Sequence, residues 1–205
     1  MFQMLKQAVL ATIAIMLLCG LGYPLAMTGL AEAIFPSQAH GSLIERDGKT
    51  VGSALIGQNF TGPEYFHPRP SAITAPDPKD PTKTVPTPYD ASNSNASNAS
   101  PTGKGLVSDV SDRVAALKKE NPDAAGSIPV DLVTSSGSGL DPDLSPAAAN
   151  YQAPRVAAAR SIPVADVDQL VAKYTQPRVL GILGEARVNV LRLNLALDEL
   201  HKKSP

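Results

Sequence analysis

Sixteen residues, Val133 to Ala148 (VTSSGSGLDPDLSPAA), hold two glycines, four serines and two aspartates. These are the residue types of a phosphate cradle, a calcium loop or a serine nucleophile, and each of those chemistries fixes spacing as well as type. A phosphate loop needs a Lys and a Ser/Thr at set offsets from its glycines. Gly137-Ser138-Gly139 has neither, and Pro142 stands where GxGxxG requires its third glycine. A calcium loop opening at Asp141 would meet Pro146 at the position of its turning glycine and Gln152 at that of its last carboxylate. A GxSxG elbow is absent. The remaining reading is a turn: glycines supply unusual φ angles, Asp141 precedes Pro142, and Ser145 caps a following helix.

The other chemistry-bearing residues are dispersed. His40, His67 and His201 lie far apart, and a catalytic base needs a positioned partner. The pairs Asp141/Asp143 and Asp166/Asp168 suit turns and helix starts. The single cysteine, Cys19, rules out a disulfide within the chain, and Leu18 is too bulky for the residue before a lipidated cysteine. A net charge of -1 gives no basic excess for nucleic acid.

Elements to carry these residues can be read from the chain. Gln7 to Ala31 is free of charge, and a helix of that length rises roughly 37 Å, enough for a hydrocarbon core of about 30 Å. Residues 1–6 then form a cytoplasmic tail, 7–31 a transmembrane helix and 33–205 a periplasmic domain. The rival reading is a signal peptide cleaved near Ala31–Ala33. Lys6 precedes the span and no Lys or Arg follows until Arg46, which sets this orientation. Gly20, Gly22 and Pro24 weaken a lone helix but let a neighbouring helix approach closely.

In the outer part, Asp47-Gly48 marks a hairpin between Leu43–Ile44 and Val51–Leu55. Pro63 to Pro88 holds eight prolines in 26 residues and is followed by the Asn/Ser tract Ser92–Ser100, so 63–103 reads as a flexible insertion. Val107, Val110, Val114 and Leu117 predict an amphipathic helix stopped by Pro122. A short strand is expected at Val130–Thr134, then helices at Pro146–Arg160 and Val164–Tyr174. The C-terminal leucines fit a helix capped by Asn189 with lysines at its end, or alternatively a strand. The class is α+β: an anchor helix followed by a single extracytoplasmic mixed domain with a long Pro/Asn/Ser-rich loop.

Three stretches, "GSLIERDGKTVGSALIGQNFTGPEYFHPRPSA", "VTSSGSGLDPDLSPAAANYQAPRVAAAR" and "LGILGEARVNVLRLNLALDEL", resemble the KdpC family of the bacterial Kdp potassium-transporting ATPase. The resemblance implies an inner-membrane, single-pass, non-catalytic accessory subunit. It implies partnership with a potassium-channel-like membrane subunit and a P-type ATPase subunit, a need for it in assembly, and a catalytic-chaperone role that raises ATP affinity. It carries over no catalytic residue and no directly bound cofactor, since ATP acts through the partner. The chain has neither a DKTGT phosphorylation motif nor a TVGYG-like filter. Gly20, Gly22, Pro24, Ser138, Gly139, Asp141 and Asp143 are the candidate partner contacts. The competing functions are a membrane-anchored periplasmic solute-binding module or hydrolase.

Overall fold

The computed structural model describes residues 1–203; the side chains beyond Leu200 lie outside the described atoms, so His201 and the terminal lysines of the sequence reading do too. Two compact units divide between Ser53 and Ala54. The hairpin expected around Asp47-Gly48 belongs to the first unit. A physical reason is that the hairpin pairs with itself, and no residue before Gly57 is buried.

In the first unit, α1 (Phe2–Leu17) and α2 (Tyr23–Ile34) are joined without a break by one wide π turn, Leu18–Gly22. Residues 2–6, read as a tail, are helical. The helix from Phe2 to Ile34 has 33 residues, a mean hydropathy of 2.1 in its most apolar stretch, and is long and apolar enough to cross a membrane. Pro24 explains the wide turn: it has no N–H to give the carbonyl four residues back, and π bulges absorb such a gap. A short helix α3 (Pro36–Ala39) follows, then β1 (Leu43–Arg46) and β2 (Lys49–Ser53), paired antiparallel around Asp47-Gly48. Both turn residues have positive φ, as the sequence predicts.

The second unit is mixed. β3 (Thr74–Pro76) and β4 (Thr84–Pro86) form a hairpin, and α4 (Lys104–Glu120) is the predicted amphipathic helix. A three-stranded antiparallel sheet in the order β5-β7-β6 joins β5 (Asp143–Leu144), β6 (Thr175–Gln176) and β7 (Arg187–Asn189). Leu144 and Thr175 both pair with Val188, which is fully buried.

Three helices make the core. α5 (Pro146–Arg160) begins where the Ser145 Oγ accepts the Ala148 N–H at 3.0 Å, with Pro146 in the first turn. It ends where Ser161 turns left-handed and the Ile162 N–H reaches the Ala157 carbonyl, a Schellman closure. Its buried face is mainly alanine (Ala148, Ala149, Ala153, Ala157), so α6 (Val164–Tyr174) packs closely through Val167, Leu170 and Val171. α7 (Val190–Lys203) adds Val190, Leu193 and Leu197, the helical stripe rather than the strand alternation. The Asn189 side chain accepts the Arg192 N–H at 3.1 Å and caps it.

Two expectations need correction. Val130–Thr134 is not a strand: Val130–Leu132 is a 3-10 turn in which the Val130 carbonyl accepts the N–H groups of Val133 and Thr134. The 63–103 segment is not a loose insertion either. It contributes fully buried Phe66 and Ile73 at 1% exposure to the interior, and the β3–β4 hairpin besides. Two large apolar side chains and a set of backbone-directed polar ones hold it, despite its proline content.

Candidate functional site

The glycine/serine loop is organised by residues from distant parts of the chain. The Gly57 N–H donates to the Leu140 carbonyl at 2.8 Å, and the Ser71 hydroxyl donates to the Gly139 carbonyl at 2.8 Å. The Asn95 N–H and the Ser94 hydroxyl both reach the Ser138 carbonyl. Thus the Asn/Ser tract closes over the loop that composition alone left unconnected to it.

Inside the loop, the hydroxyls serve the backbone. Ser136 Oγ accepts the Gly139 N–H at 2.9 Å and Ser138 Oγ accepts the Leu140 N–H at 3.1 Å. Gly139 has φ +69, and a Cβ there would stand 2.7 Å from Ile73 Cγ1 and 2.8 Å from the Asn95 carbonyl oxygen. No other residue type fits both demands. Gly57 is confined by space alone, since an added Cβ would collide with the Tyr89 ring and the Asp141 carbonyl oxygen.

The carboxylates are also engaged. Arg69 donates to Asp141 Oδ2 at 2.9 Å, while Asp141 Oδ1 accepts the Asp143 N–H at 3.1 Å. Asp143 faces Arg187 Nε at 3.2 Å and accepts from Asn189 Nδ2 at 3.3 Å. Burial pushes the Asp143 carboxyl above its ordinary pKa, offset in part by the Asn189 hydrogen bond. Asp131 accepts both the Ser145 N–H, at 2.8 Å, and the Ser145 hydroxyl, at 3.2 Å. The Tyr89 hydroxyl donates to the Arg69 carbonyl at 2.8 Å; burial, then the Asp141 charge, holds it well above the usual phenol range.

These residues border a groove of about 590 Å³ lined by Arg69, Asp131, Asp141, Asp143, Glu185 and Arg187 among others. Among the described residues no group of three or more His, Cys, Asp or Glu is arranged to hold a metal ion. A second groove, about 900 Å³, runs between α5 and α6 past Tyr151, Pro129 and Pro154.

Of the seven candidate contacts, Ser138, Gly139, Asp141 and Asp143 therefore meet in one hydrogen-bonded loop of the second unit. Gly20, Gly22 and Pro24 belong to the first, in and beside the π turn. A Cβ at Gly20 would meet nothing within 4 Å, so that face of the helix is open to a close neighbour. Two buried amides were missed by sequence reasoning. Gln152 grips the backbone of His67, accepting its N–H at 2.8 Å and donating to its carbonyl at 3.1 Å, and Asn194 holds Phe66 in the same way. The available signal was an amide among leucines at a helical core position, as in "LNLAL".

A family model described as "KdpC: K+-transporting ATPase, c chain" matches residues 5–199. The chain belongs to the KdpC family. A potassium-transporting ATPase KdpC subunit from Methylobacterium nodulans is 58% identical over 203 residues, covering 99% of this chain and 100% of its own. Its counterpart from Bradyrhizobium diazoefficiens is 57% identical over 203 residues, with the same coverage. That from Rhodopseudomonas palustris is 59% identical over 198 residues, covering 97% of this chain and 98% of its own. KdpC membership makes the chain a subunit of a potassium-transporting ATPase, with an apolar helix consistent with a single-pass anchor.

Proposed function

We propose that this chain is a non-catalytic accessory subunit of a high-affinity, ATP-driven potassium uptake complex in the bacterial inner membrane. It assembles with a potassium-channel-like subunit and a P-type ATPase subunit and raises the latter's affinity for ATP. The apolar helix spans the membrane with residues before it in the cytoplasm and the bulk of the chain outside, following the charge asymmetry around it. The observation that supports an assembly role over catalysis is the loop Val133–Ala148. The Ser136, Ser138 and Ser145 hydroxyls and the Asp141 carboxylate are engaged in shaping backbone, the Asp143 carboxylate is held by Arg187 and Asn189, and Gly139 is engaged in close packing.

In this topology the outer unit cannot touch nucleotide. Any effect on ATP affinity passes through the anchor or the channel-like partner as a coupling free energy, typically about 1–3 kcal/mol. The glycine-bearing π turn supports the anchor as a route, since its open face admits a second helix. The experiment is to tag the chain, solubilise membranes mildly and identify what co-purifies. Two large subunits with potassium-stimulated ATPase activity that falls on removal of this chain support the reading; a chain that emerges alone overturns it. Placing residues 33–205 on an unrelated anchor lowers ATP affinity if the helix carries the coupling, and leaves it unchanged if it does not.

A further inference from the structure

Tyr151, in α5, belongs to the hydrophobic core and is 7% exposed, yet its hydroxyl has no hydrogen-bond partner among the described residues. A buried tyrosine hydroxyl usually finds one. Nor is this hydroxyl sealed in the interior: among the described residues the fully enclosed side-chain atoms without partners are Arg69 Nε and Thr87 Oγ1. Tyr151 lines the groove of about 900 Å³ between α5 and α6, a volume in the range of small-molecule sites. It also borders a smaller groove of about 540 Å³ that shares Gly126 and Ser127 with the first.

The wall of the larger groove has a consistent chemistry. Asp123, in the loop after α4, and Asp168, in α6, both line it, and neither carboxylate is hydrogen-bonded or ion-paired to a described residue. No Lys, Arg or His lines it among the described residues. Pro154, inside α5, has no N–H for the Asn150 carbonyl four residues back, which leaves a further acceptor where both residues line the wall. The rest of the surface is largely aliphatic, with Pro129, Pro146 and Val171. The groove thus offers oxygen acceptors and negative charge on an aliphatic bed, with few donors and no balancing cation.

We propose that this groove binds a linear aliphatic polyamine, its ammonium groups on Asp123, Asp168 and the Tyr151 hydroxyl and its methylenes on the proline and valine surface. An ammonium group carries donors and no acceptor, the complement of this wall. A peptide would bring a carbonyl with every residue, and helix walls interrupted by prolines leave few N–H groups to meet them. A bare metal ion would need a shell of several oxygens, and among the described residues no group of three or more His, Cys, Asp or Glu is arranged to hold one.

The test is calorimetric titration of the full chain, in nonionic detergent at physiological ionic strength, with spermidine. A single saturable site is expected, weakened about fivefold by Asp123→Asn or Asp168→Asn and about threefold by Tyr151→Phe. Asp166→Asn, on the same helix but outside the groove, should bind as the parent does. Thermal unfolding checks each variant. Should one fail to fold, carbodiimide coupling of spermidine to the unsubstituted chain decides: amide bonds concentrated at Asp123 and Asp168, located by peptide mass, support the site. Coupling spread evenly over surface carboxylates overturns it, as does a loss with Asp166→Asn equal to that with Asp168→Asn, which marks diffuse charge attraction. Absence of saturable binding, or binding of a lysine-containing peptide but not of spermidine, overturns it too.

Discussion

Asn194, in the middle of α7, holds both backbone polar groups of Phe66: its Oδ1 accepts the Phe66 N–H at 2.9 Å and its Nδ2 donates to the Phe66 carbonyl at 3.0 Å. Phe66 is fully buried and Asn194 is 1% exposed. A side-chain amide thus does for one residue of an irregular segment what a neighbouring strand does in a sheet. Replacing Asn194 with Leu leaves two buried backbone groups without partners, at about 1–3 kcal/mol each. A loss of about 2–5 kcal/mol in denaturant unfolding is expected; a loss below about 1 kcal/mol would show that the clamp adds little.

Gly139 and Gly137 offer a matched contrast. Gly139→Ala meets both a left-handed φ and two close neighbours, and is expected to destabilise by at least about 2 kcal/mol. At Gly137 a Cβ meets nothing within 4 Å, so Gly137→Ala should stay within about 0.5 kcal/mol of the parent. Equal unfolding midpoints for the two variants would contradict the packing described around Ile73.

His67 predicts a pH dependence. Its Nε2 lies 2.9 Å from the Gly62 carbonyl oxygen and its Nδ1 3.2 Å from Glu120. Burial, then the Arg155 charge, nevertheless lowers its pKa below 6.5, outweighing the pull of Glu120 and Glu64. The unfolded chain then binds the proton more readily than the folded one. The stability due to neutral His67 is full above pH 6.5 and is lost as pH falls through the folded-state pKa. The slope of unfolding free energy between pH 7.5 and about 5 should flatten in His67→Gln; an unchanged slope would assign the dependence elsewhere.

Ser138 separates accessory subunit from hydrolase. Its hydroxyl accepts the Leu140 N–H at 3.1 Å, which makes it a loop-shaping group. Ser138→Ala should cost about 1 kcal/mol of stability and leave potassium-stimulated ATPase activity of the intact complex within about twofold of the parent, a change worth only a few tenths of a kcal/mol. Abolition of a hydrolytic activity by this change, with folding intact, would favour the nucleophile reading instead.

Much of the helical architecture was legible because its punctuation is local. Ser145-Pro146 opens α5, Ser161-Ile162-Pro163 lies between it and α6, and the expected bounds Pro146–Arg160 and Val164–Tyr174 are those observed. Asp47-Gly48 announced its hairpin for the same reason. What stayed hidden depends on residues far apart. Composition assigned 63–103 to loose chain because it counts apolar residues, whereas Phe66 and Ile73 matter by where they go. The loop Val133–Ala148 could be cleared of phosphate and calcium chemistry by spacing, but its ties to Gly57, Ser71, Arg69 and Asn95 have no local signature. The aliphatic run at Val179–Leu183 gives no sign by itself that it faces outward.

The two amide clamps also set an order of events. Phe66 is joined to a residue 128 positions later and His67 to one 85 positions later. Most of the second unit must therefore be synthesised before Phe66 and His67 meet these two partners. Contacts of such long sequence separation form slowly. Until α7 arrives the segment around Phe66 is an exposed apolar stretch, a natural substrate for holding chaperones and proteases. A chain stopped before Val190 should be cleared by the cell before it could compete for a place in the assembly.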